Sequence, residues 1–336
     1  MISNAVKLNG KFQNPVPTSV GDASMIFKLL PLYLRNREET VPRQPVGPFH
    51  TDARVYQSPP AGGLRVTWFG HSSSLLEIDG ARILIDPVWD KRAGPVEWAG
   101  PRRFFAPTMA LEELPSLDAV ILSHDHYDHF GKRTVRELAK LTAAGQTKWI
   151  VPLGLGAMVQ GLGVLAGQIV ELDWTQSTEI AGGTFGITAL PARHFSGRSL
   201  TNRFETLWAS YVITGKEHRV YYGADSGLWP GFAEIGAAYG PFDLTMLEVG
   251  AFHELWKSIH MGPDGAAEAY EALGGPSRAG LLMPIHWGLF NLALHAWRQP
   301  IERITQIAAE RGWRLFSPEP GLPTEVATVR SEWWKG

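Results

Sequence analysis

The arrangement of apolar and polar residues predicts a chain built largely of short strands. Apolar-rich runs between turn-forming residues predict strands at 64–69, 74–78, 82–86, 117–122, 149–152, 169–172, 184–190, 207–214, 220–222, 244–249 and 280–285. Asp79-Gly80 separates the second and third runs, which predicts a tight hairpin. Apolar residues spaced three and four apart predict helices at 134–142, 263–273 and 301–311. Strands that cluster first and then alternate with helices favour an α/β fold, with two mixed sheets between layers of helices.

The first 62 residues lack this pattern and end at a break rich in proline and glycine, residues 59–63. We therefore predict an N-terminal extension over 1–62, packed on the core, and one main domain over 63–336. The most lipophilic stretch, residues 25–34, is far shorter than the roughly 20 residues of a membrane span. It is expected to pack on the core, with an interfacial membrane contact as the alternative. Residues 1–20 lack the apolar run of a secretory signal, so we expect a cytoplasmic protein, with peripheral membrane contact left open.

Composition narrows the chemistry that such a chain can perform. Cysteine is absent from its 336 residues, which excludes disulfides, thiolate metal sites and cysteine nucleophiles. With 31 basic and 33 acidic residues, the formal net charge is −2, a balance that disfavours binding to a nucleic-acid backbone. Catalysis in this chain must therefore use His, Asp, Glu, Ser or a metal ion.

One short segment carries the strongest chemical signal. The sequence Ser-His-Asp-His-Tyr-Asp-His at 123–129 directly follows the strand predicted at 117–122. Residues two apart point to the same side of an extended chain, so His124 and His126 can direct both imidazoles at one metal ion. Asp128 and His129 then turn towards a second position nearby. Imidazole and carboxylate ligands of this kind suit Zn, with Fe or Mn as alternatives.

This motif, followed by an isolated His, an isolated Asp and a last His, resembles the metallo-β-lactamase superfamily. The later positions match His194, Asp225 and His286, each of which follows an apolar strand. More specifically, the chain resembles the branch of N-acyl-phosphatidylethanolamine-hydrolysing phospholipases D and their bacterial relatives. Five stretches between residues 60 and 316 carry this likeness: Trp68-Phe-Gly-His-Ser-Ser, Gly100-Pro-Arg-Arg-Phe, the motif at 124–129, His260-Met-Gly-Pro and Pro284-Ile-His-Trp-Gly.

The resemblance implies a four-layer αββα sandwich over 63–336 that binds two divalent metal ions, with Zn favoured. It implies two ligand sets that share a bridging Asp225: His124, His126 and His194 for one ion, and Asp128, His129 and His286 for the other. Such a set leaves open positions for hydroxide and substrate, as a catalytic site requires. The mechanism inferred from it is hydrolysis by a metal-bridging hydroxide that attacks phosphorus or a carbonyl carbon.

Further residues are assigned supporting roles. Asp128 is expected to orient the nucleophile as well as bind metal, and His260 is a candidate to protonate the leaving group, with a structural loop role as the alternative. Asp86 matches the superfamily's outer aspartate and is expected to fix a ligand imidazole by a hydrogen bond, unless it only caps its Asp-Pro turn. His71 is expected to face the site or to form a turn.

The substrate-binding residues are predicted from chemical type alone. Arg102 and Arg103 are candidates to pair with a phosphate, with solvated loop arginines as the alternative. Phe104 would stack on an apolar group, and Glu248 would line the cleft.

Three functions follow from these predictions. The leading hypothesis is a dinuclear phosphodiesterase of phospholipase D type that acts on N-acyl-phosphatidylethanolamine-like lipids. A second enzyme with the same metals would hydrolyse a small lactone, ester or β-lactam, and a small pocket without apolar walls would favour it. The third is a metal-binding regulatory protein without turnover. The expected partner is thus a small-molecule or lipid phosphodiester and not nucleic acid, and no sequence pattern sets the oligomeric state.

Overall fold

Strands and helices alternate along the chain after a strand-rich first half. The computed structural model describes residues 2–21, 31–32, 34–183, 185–199, 201–275, 280–326 and 329–335. Its strands are β1 (Lys7–Leu8), β2 (Lys11–Phe12), β3 (Leu64–Trp68), β4 (Ser74–Ile78), β5 (Ala81–Ile85), β6 (Ala119–Ile121), β7 (Lys148–Pro152), β8 (Ile169–Leu172), β9 (Ser177–Ile180), β10 (Phe185–Leu190), β11 (Ser210–Thr214), β12 (Arg219–Tyr222), β13 (Leu244–Glu248), β14 (Leu281–Ile285), β15 (Phe316–Ser317), β16 (Thr324–Glu325) and β17 (Val329–Arg330). Its α-helices are α1 (Lys132–Thr142), α2 (Gly156–Gln160), α3 (Gly231–Tyr239), α4 (Gly262–Ala272) and α5 (Gln299–Glu310).

Most of the strands join two mixed sheets. The larger sheet has seven strands in the order β16-β3-β4-β5-β6-β7-β8, of which β5 to β8 run parallel. The smaller sheet has six strands in the order β14-β13-β12-β11-β10-β9, of which β12 to β14 run parallel. Since β10 and β12 are both antiparallel to β11, β10 ends at the same edge as β12, β13 and β14. The loops after these strands therefore collect at one edge of the sheet.

Successive strand residues point into different layers, as the period of two requires. In β5, Ile83 and Ile85 lie in the large core that the two sheets share, whereas Leu84 lies in a second core with residues of α1 and α2. On the other sheet, α4 packs against β13 and against α5. The layers are thus helices, sheet, sheet and helices, which confirms the predicted αββα sandwich.

The predicted elements are present, and the structure adds others. Asp79 and Gly80 have φ angles of 48° and 100° and form the predicted two-residue hairpin between β4 and β5. Strand β9 was not predicted, because it is a short edge strand with little buried surface. Helix α3 was not predicted, because its glycines suggest a turn. One of them, Gly236, allows close packing, since a Cβ there would lie 2.7 Å from the Leu273 backbone.

Part of the predicted N-terminal extension contacts the main domain. The backbone N–H of Phe12 donates to the carbonyl of Phe204 (2.8 Å), and the Asn14 amide donates to the carbonyl of His194 (2.7 Å). Of the lipophilic stretch, residues 25–30 and 33 lie outside the described residues, and Leu32 and Leu34 are exposed. The helices of the described residues are all too short or too polar to cross a bilayer.

Asp79 links the β4–β5 turn of one sheet to the β11–β12 turn of the other. Its Oδ2 accepts hydrogen bonds from the backbone N–H groups of Glu217 and His218 (2.8 and 2.9 Å), and its Oδ1 lies 2.6 Å from His218 Nδ1. Burial alone would raise the pKa of the Asp79 carboxyl, but these hydrogen bonds outweigh burial and lower the pKa below its usual value.

This link predicts a pH-dependent contribution to stability. A carboxyl whose pKa is lower in the folded state stabilises the fold above its unfolded pKa, and the contribution is lost as pH falls through that range. Asp79→Asn is therefore expected to unfold at lower denaturant concentration than wild type at pH 7, with the difference shrinking as the pH falls below about 4. Urea titrations at several pH values measure the difference in stability between the two proteins. Glu112→Gln, which removes an exposed carboxylate, is the control. A difference that does not change with pH would contradict the assignment.

Candidate metal centre

The predicted ligands come together where loops from both sheets meet. Asp86 follows β5 and His124 follows β6 in the larger sheet, and His194, Asp225 and His286 follow β10, β12 and β14 in the smaller one. These side chains are almost completely buried. Except for Asp86, which lies outside these groups, their metal-binding atoms belong to groups in which all members lie within 4.8 Å of one another. A site built on strand ends is held rigidly, because β5, β6, β10 and β12 each pair with a strand on both sides. Strand β14, at the edge of its sheet, pairs with β13 and forms an isolated bridge to Leu315.

The first group contains three imidazoles and one carboxylate: His124, His126, His194 and Asp225. His126 Nδ1 lies 2.9 Å from His124 Nε2 and 3.3 Å from His194 Nε2. Asp225 Oδ2 lies 3.8 Å from His124 Nε2 and 3.7 Å from His194 Nε2. A tetrahedral ion with bonds of roughly 2.0–2.1 Å would separate its ligand atoms by about 3.4 Å. The four atoms are therefore spaced as ligands of one ion.

The second group contains the two remaining imidazoles and Asp128, and it adds His71. Asp128 Oδ2 lies 3.6 Å from His129 Nε2, 3.3 Å from His286 Nε2 and 2.9 Å from His71 Nε2. Asp225 also reaches this group, with its Oδ1 3.2 Å from His129 Nε2 and its Oδ2 3.1 Å from His286 Nε2. The structure thus places Asp225 between the two groups. His71, expected to face the site or to form a turn, lies in contact with Asp128.

Unsatisfied polar atoms support the fit of these residues to metal ions. His129 Nε2, His286 Nε2 and Asp225 Oδ1 are buried and have no hydrogen-bond partner among the described residues. A buried polar atom without a partner costs free energy, and a coordinated cation would satisfy all three at once. The donors are imidazole nitrogen and carboxylate oxygen, the set that suits Zn, Fe or Mn.

Hydrogen bonds on the outer side fix the orientation of the imidazoles. His129 Nδ1 lies 2.7 Å from Asp86 Oδ2, as predicted for this aspartate, and His124 Nδ1 lies 2.9 Å from Ser123 Oγ. His194 Nδ1 lies 3.0 Å from the carbonyl oxygen of Ile259. With Nδ1 engaged in this way, Nε2 of each ring is directed at the centre, as in many metal sites.

The protonation states differ between the two groups. Burial holds the pKa values of His124 and His194 well below the usual value, so both imidazoles are neutral and keep a free lone pair. Burial would raise the pKa of Asp128, but His129, His286 and His71 outweigh it and hold the pKa well below its usual range. The carboxylate is therefore ionised. For His129 and His286, burial would lower the pKa, but Asp225 and Asp128 outweigh it and raise the pKa of both rings, that of His286 to about 9. A cation in the second group would therefore displace a proton from each of these imidazoles.

His260 and Glu248 form a pair at the rim of the centre. His260 Nδ1 lies 2.7 Å from Glu248 Oε2, and Glu248 Oε1 accepts a hydrogen bond from the backbone N–H of Met261 (2.8 Å). Burial raises the pKa of the Glu248 carboxyl, whose side chain is fully buried. With Asp225 and His286 these two residues form a third group of possible ligands. Glu248 was predicted to line the cleft, but the structure places it behind His260.

The predicted arginine pair is divided by the structure. Arg103 is buried, and its Nε donates to the carbonyl of Phe105 (2.7 Å), which ties its guanidinium to the protein backbone. Burial lowers the pKa of Arg103 to about 10. Arg102 is exposed, and its backbone pairs with that of Arg92 in an isolated bridge. Only Arg102 of the two is thus exposed to an anion in solution.

Aromatic side chains surround the histidines. The Phe195 ring lies 4.5 Å from the ring of His126, and the Phe290 ring lies 5.5 Å from that of His71. Phe104, Phe290 and Trp297 line a small cavity together with His286. The predicted Phe104 is therefore near the centre, whereas no sequence pattern had indicated Phe195 or Phe290.

The two groups predict separate effects of single substitutions on metal content. His126→Ala removes a donor of the first group and His286→Ala one of the second, so each variant should retain about one equivalent less metal than wild type after dialysis. Elemental analysis of the purified proteins measures it. His50→Ala, which removes an exposed histidine elsewhere, serves as the control and should retain all of the metal. Full metal content in His126→Ala would refute the ligand assignment.

Comparisons with known proteins agree with this geometry. The profile of the β-lactamase superfamily domain matches residues 81–287. An uncharacterized protein of Mycobacterium tuberculosis is 45% identical over 278 residues, which are 82% of this chain and 73% of the relative. The N-acyl-phosphatidylethanolamine-hydrolyzing phospholipase D 1 of Caenorhabditis elegans is 35% identical over 258 residues, which are 74% of this chain and 71% of that protein.

Solved structures share the fold at lower sequence identity. The isothiocyanate hydrolase from Delia radicum gut bacteria superposes with a TM-score of 0.62 at 18% identity, over 79% of this chain and 100% of that one. The likeness at this identity concerns the fold alone, whereas the profile match and the sequence relatives identify the family. The chain belongs to the hydrolases of the metallo-β-lactamase superfamily, among the relatives of N-acyl-phosphatidylethanolamine-hydrolyzing phospholipase D.

Proposed function

We propose that this protein is a dinuclear phosphodiesterase of phospholipase D type that hydrolyses N-acyl-phosphatidylethanolamine-like lipids. The observation that carries the proposal is the pair of buried ligand groups with Asp225 between them. Two ions about 3.5–4 Å apart are the arrangement used for displacement at phosphorus in phosphatases and nucleases. The activity for which the Caenorhabditis elegans relative is named supports an N-acylated phospholipid as the substrate.

The surroundings of the centre favour a substrate with an apolar part. Phe195 and Phe290 pack on histidines of the two groups, and Phe104 and Trp297 lie close to His286. Aromatic walls of this kind bury hydrocarbon and contribute little to a small polar lactone. Phe104 and Phe195 are half-buried and open to a hydrocarbon chain, whereas Phe290 and Trp297 are buried. The two open rings favour a lipid over the small-substrate alternative.

Different residues at the centre have different roles in the proposed hydrolysis. Divalent ions held by the two groups would lower the pKa of water towards about 7 and polarise a phosphoryl oxygen. We assign to the Asp128 carboxylate, which lies 2.9 Å from His71 Nε2, the roles of orienting the attacking water and accepting its proton. The water oxygen forms the new bond to phosphorus, and the bond from phosphorus to the ethanolamide oxygen breaks. The products are phosphatidic acid and N-acylethanolamine.

The leaving alkoxide needs a proton, and we assign its donation to His260. Glu248 holds His260 Nδ1, and the ring lies about 5 Å from those of His194 and His286, at 5.1 and 5.2 Å between centroids. Its Nε2 makes no hydrogen bond with the described residues. We therefore assign Nε2 as the donor to the leaving oxygen and Glu248 as the residue that orients the ring.

Conversion of the lipid tests the proposal directly. Purified protein loaded with Zn is expected to convert dispersed N-acyl-phosphatidylethanolamine to N-acylethanolamine and phosphatidic acid, both detected by mass spectrometry. Asp225→Asn removes the shared anionic ligand and should lower turnover by roughly 100-fold or more. Release of a free fatty acid, or a rate for Asp225→Asn equal to wild type, would contradict the proposal. Turnover of a lactone or thioester alone would favour the second function.

The proton donor is tested by varying the leaving group. His260→Gln should lower kcat for an alkyl phosphodiester by about 100-fold or more, because its alkoxide cannot leave without a proton. The same variant should turn over a p-nitrophenyl phosphodiester nearly as fast as wild type, since p-nitrophenolate leaves unprotonated. Metal content is measured in parallel to exclude loss of a ligand. An equal loss of rate for both substrates would remove His260 from this role.

A further inference from the structure

A basic cavity borders the loop that carries the metal ligands. It measures about 200 Å³ and lies between the loop at 90–97 and the beginning of α1. Tyr127, which stands between the ligands His126 and Asp128 in the sequence, lines one side. Five cationic side chains line the rest, and we call them the basic surface: Lys91, Arg92, Lys132, Arg133 and Arg136.

The positive charge of the basic surface is only partly balanced by its own acids. Asp90 is committed to the start of α1, where its carboxylate accepts hydrogen bonds from the N–H and hydroxyl of Thr134 (3.1 and 2.5 Å). Glu97 lies 3.8 Å from Arg133. Lys91, Lys132 and Arg136 form no ion pair with the described residues. In a chain with a net charge of −2, this concentration of cations favours an anionic partner.

Exposed apolar side chains lie beside the cations. Val96, which lines the same cavity, is 42% exposed, and Trp98 on the same loop is 81% exposed. A tryptophan with this exposure is stabilised at the boundary between lipid headgroups and acyl chains, because its ring is apolar and its N–H is polar. Lysine and arginine beside it then meet the anionic headgroups.

This combination fits a membrane better than other anions. The cationic side chains are mostly exposed, unlike those of a pocket that encloses a small anion. A nucleic acid would stack on Trp98 but would gain nothing from the aliphatic Val96, since an isopropyl group has no aromatic face. A bilayer satisfies the cations, the indole and the aliphatic side chain together.

We propose that the basic surface, together with Val96 and Trp98, docks the protein on bilayers rich in anionic phospholipid. The docking site would hold the loop at 124–129 near the bilayer surface, because Tyr127 belongs both to that loop and to the cavity wall. The docking proposal rests on the proposed function, because an enzyme with a lipid substrate has to take that substrate from a membrane. The docking itself can be measured without any turnover.

Vesicle sedimentation tests the docking. Wild type is expected to bind vesicles containing roughly one third phosphatidylserine, to bind phosphatidylcholine vesicles weakly, and to dissociate as salt is raised to about 500 mM. The triple variant Lys91→Gln, Lys132→Gln, Arg136→Gln should bind these vesicles at least about tenfold more weakly than wild type. Trp98→Ala should also bind them more weakly. The matched control Lys11→Gln, Lys216→Gln, Lys257→Gln removes the same charge from exposed lysines elsewhere and should bind like wild type.

Separate measurements keep the failures of the two proposals apart. Both triple variants should keep the wild-type melting temperature and metal content, and the wild-type rate on a short-chain phosphodiester in solution. Vesicle binding without conversion of the lipid would refute the proposed function and leave the docking site standing. Equal binding by the two triple variants would overturn the docking site. So would displacement of the vesicles by single-stranded oligonucleotide at equal phosphate concentration.

Discussion

The buried carboxylate of Asp86 ties the two sheets together at the metal centre. Its Oδ1 accepts a hydrogen bond from the backbone N–H of Ser123, and its Oδ2 accepts one from the Ser123 hydroxyl and another from the Tyr222 hydroxyl. Ser123 follows β6 in one sheet, and Tyr222 ends β12 in the other. The same Oδ2 orients His129. Because a buried charge is costly without its partners, the packing of the sheets and the orientation of this ligand depend on each other.

The sequence predicts which residues lie together at the centre better than it predicts their surroundings. The motif at 124–129 lies within one strand exit, so its spacing alone brings His124 and His126 together. The roles of Arg103 and Glu248 depend on how loops rotate after their strands, which local pattern does not encode. The link from Asp79 to His218 joins residues 139 positions apart, and only the packing of two sheets brings them into contact. The fold class was predictable because the local sequence of most strands shows clear runs of apolar residues. The edge strand β9 lacks such a run, so it was not predicted.

The site and the proposed docking surface share one structural element. The loop after β6 supplies three histidines and Asp128 to the centre, and between them Tyr127 reaches the cavity of the basic surface. Phe195, Phe290 and Phe104 add apolar surface close to the same centre. Under the proposed function, a phospholipid would bind with its phosphate at the assigned metal ligands and its hydrocarbon along the aromatic side chains.

The central claim is that Asp225 is shared by two metal ions in one buried centre. Crystals of the metal-loaded protein, measured on both sides of the metal absorption edge, test it most directly. The account predicts two anomalous peaks about 3.5–4 Å apart, one among His124, His126 and His194 and the other among Asp128, His129 and His286, with Asp225 bound to both. A single peak, or a peak held by Glu248 and His260, would contradict it.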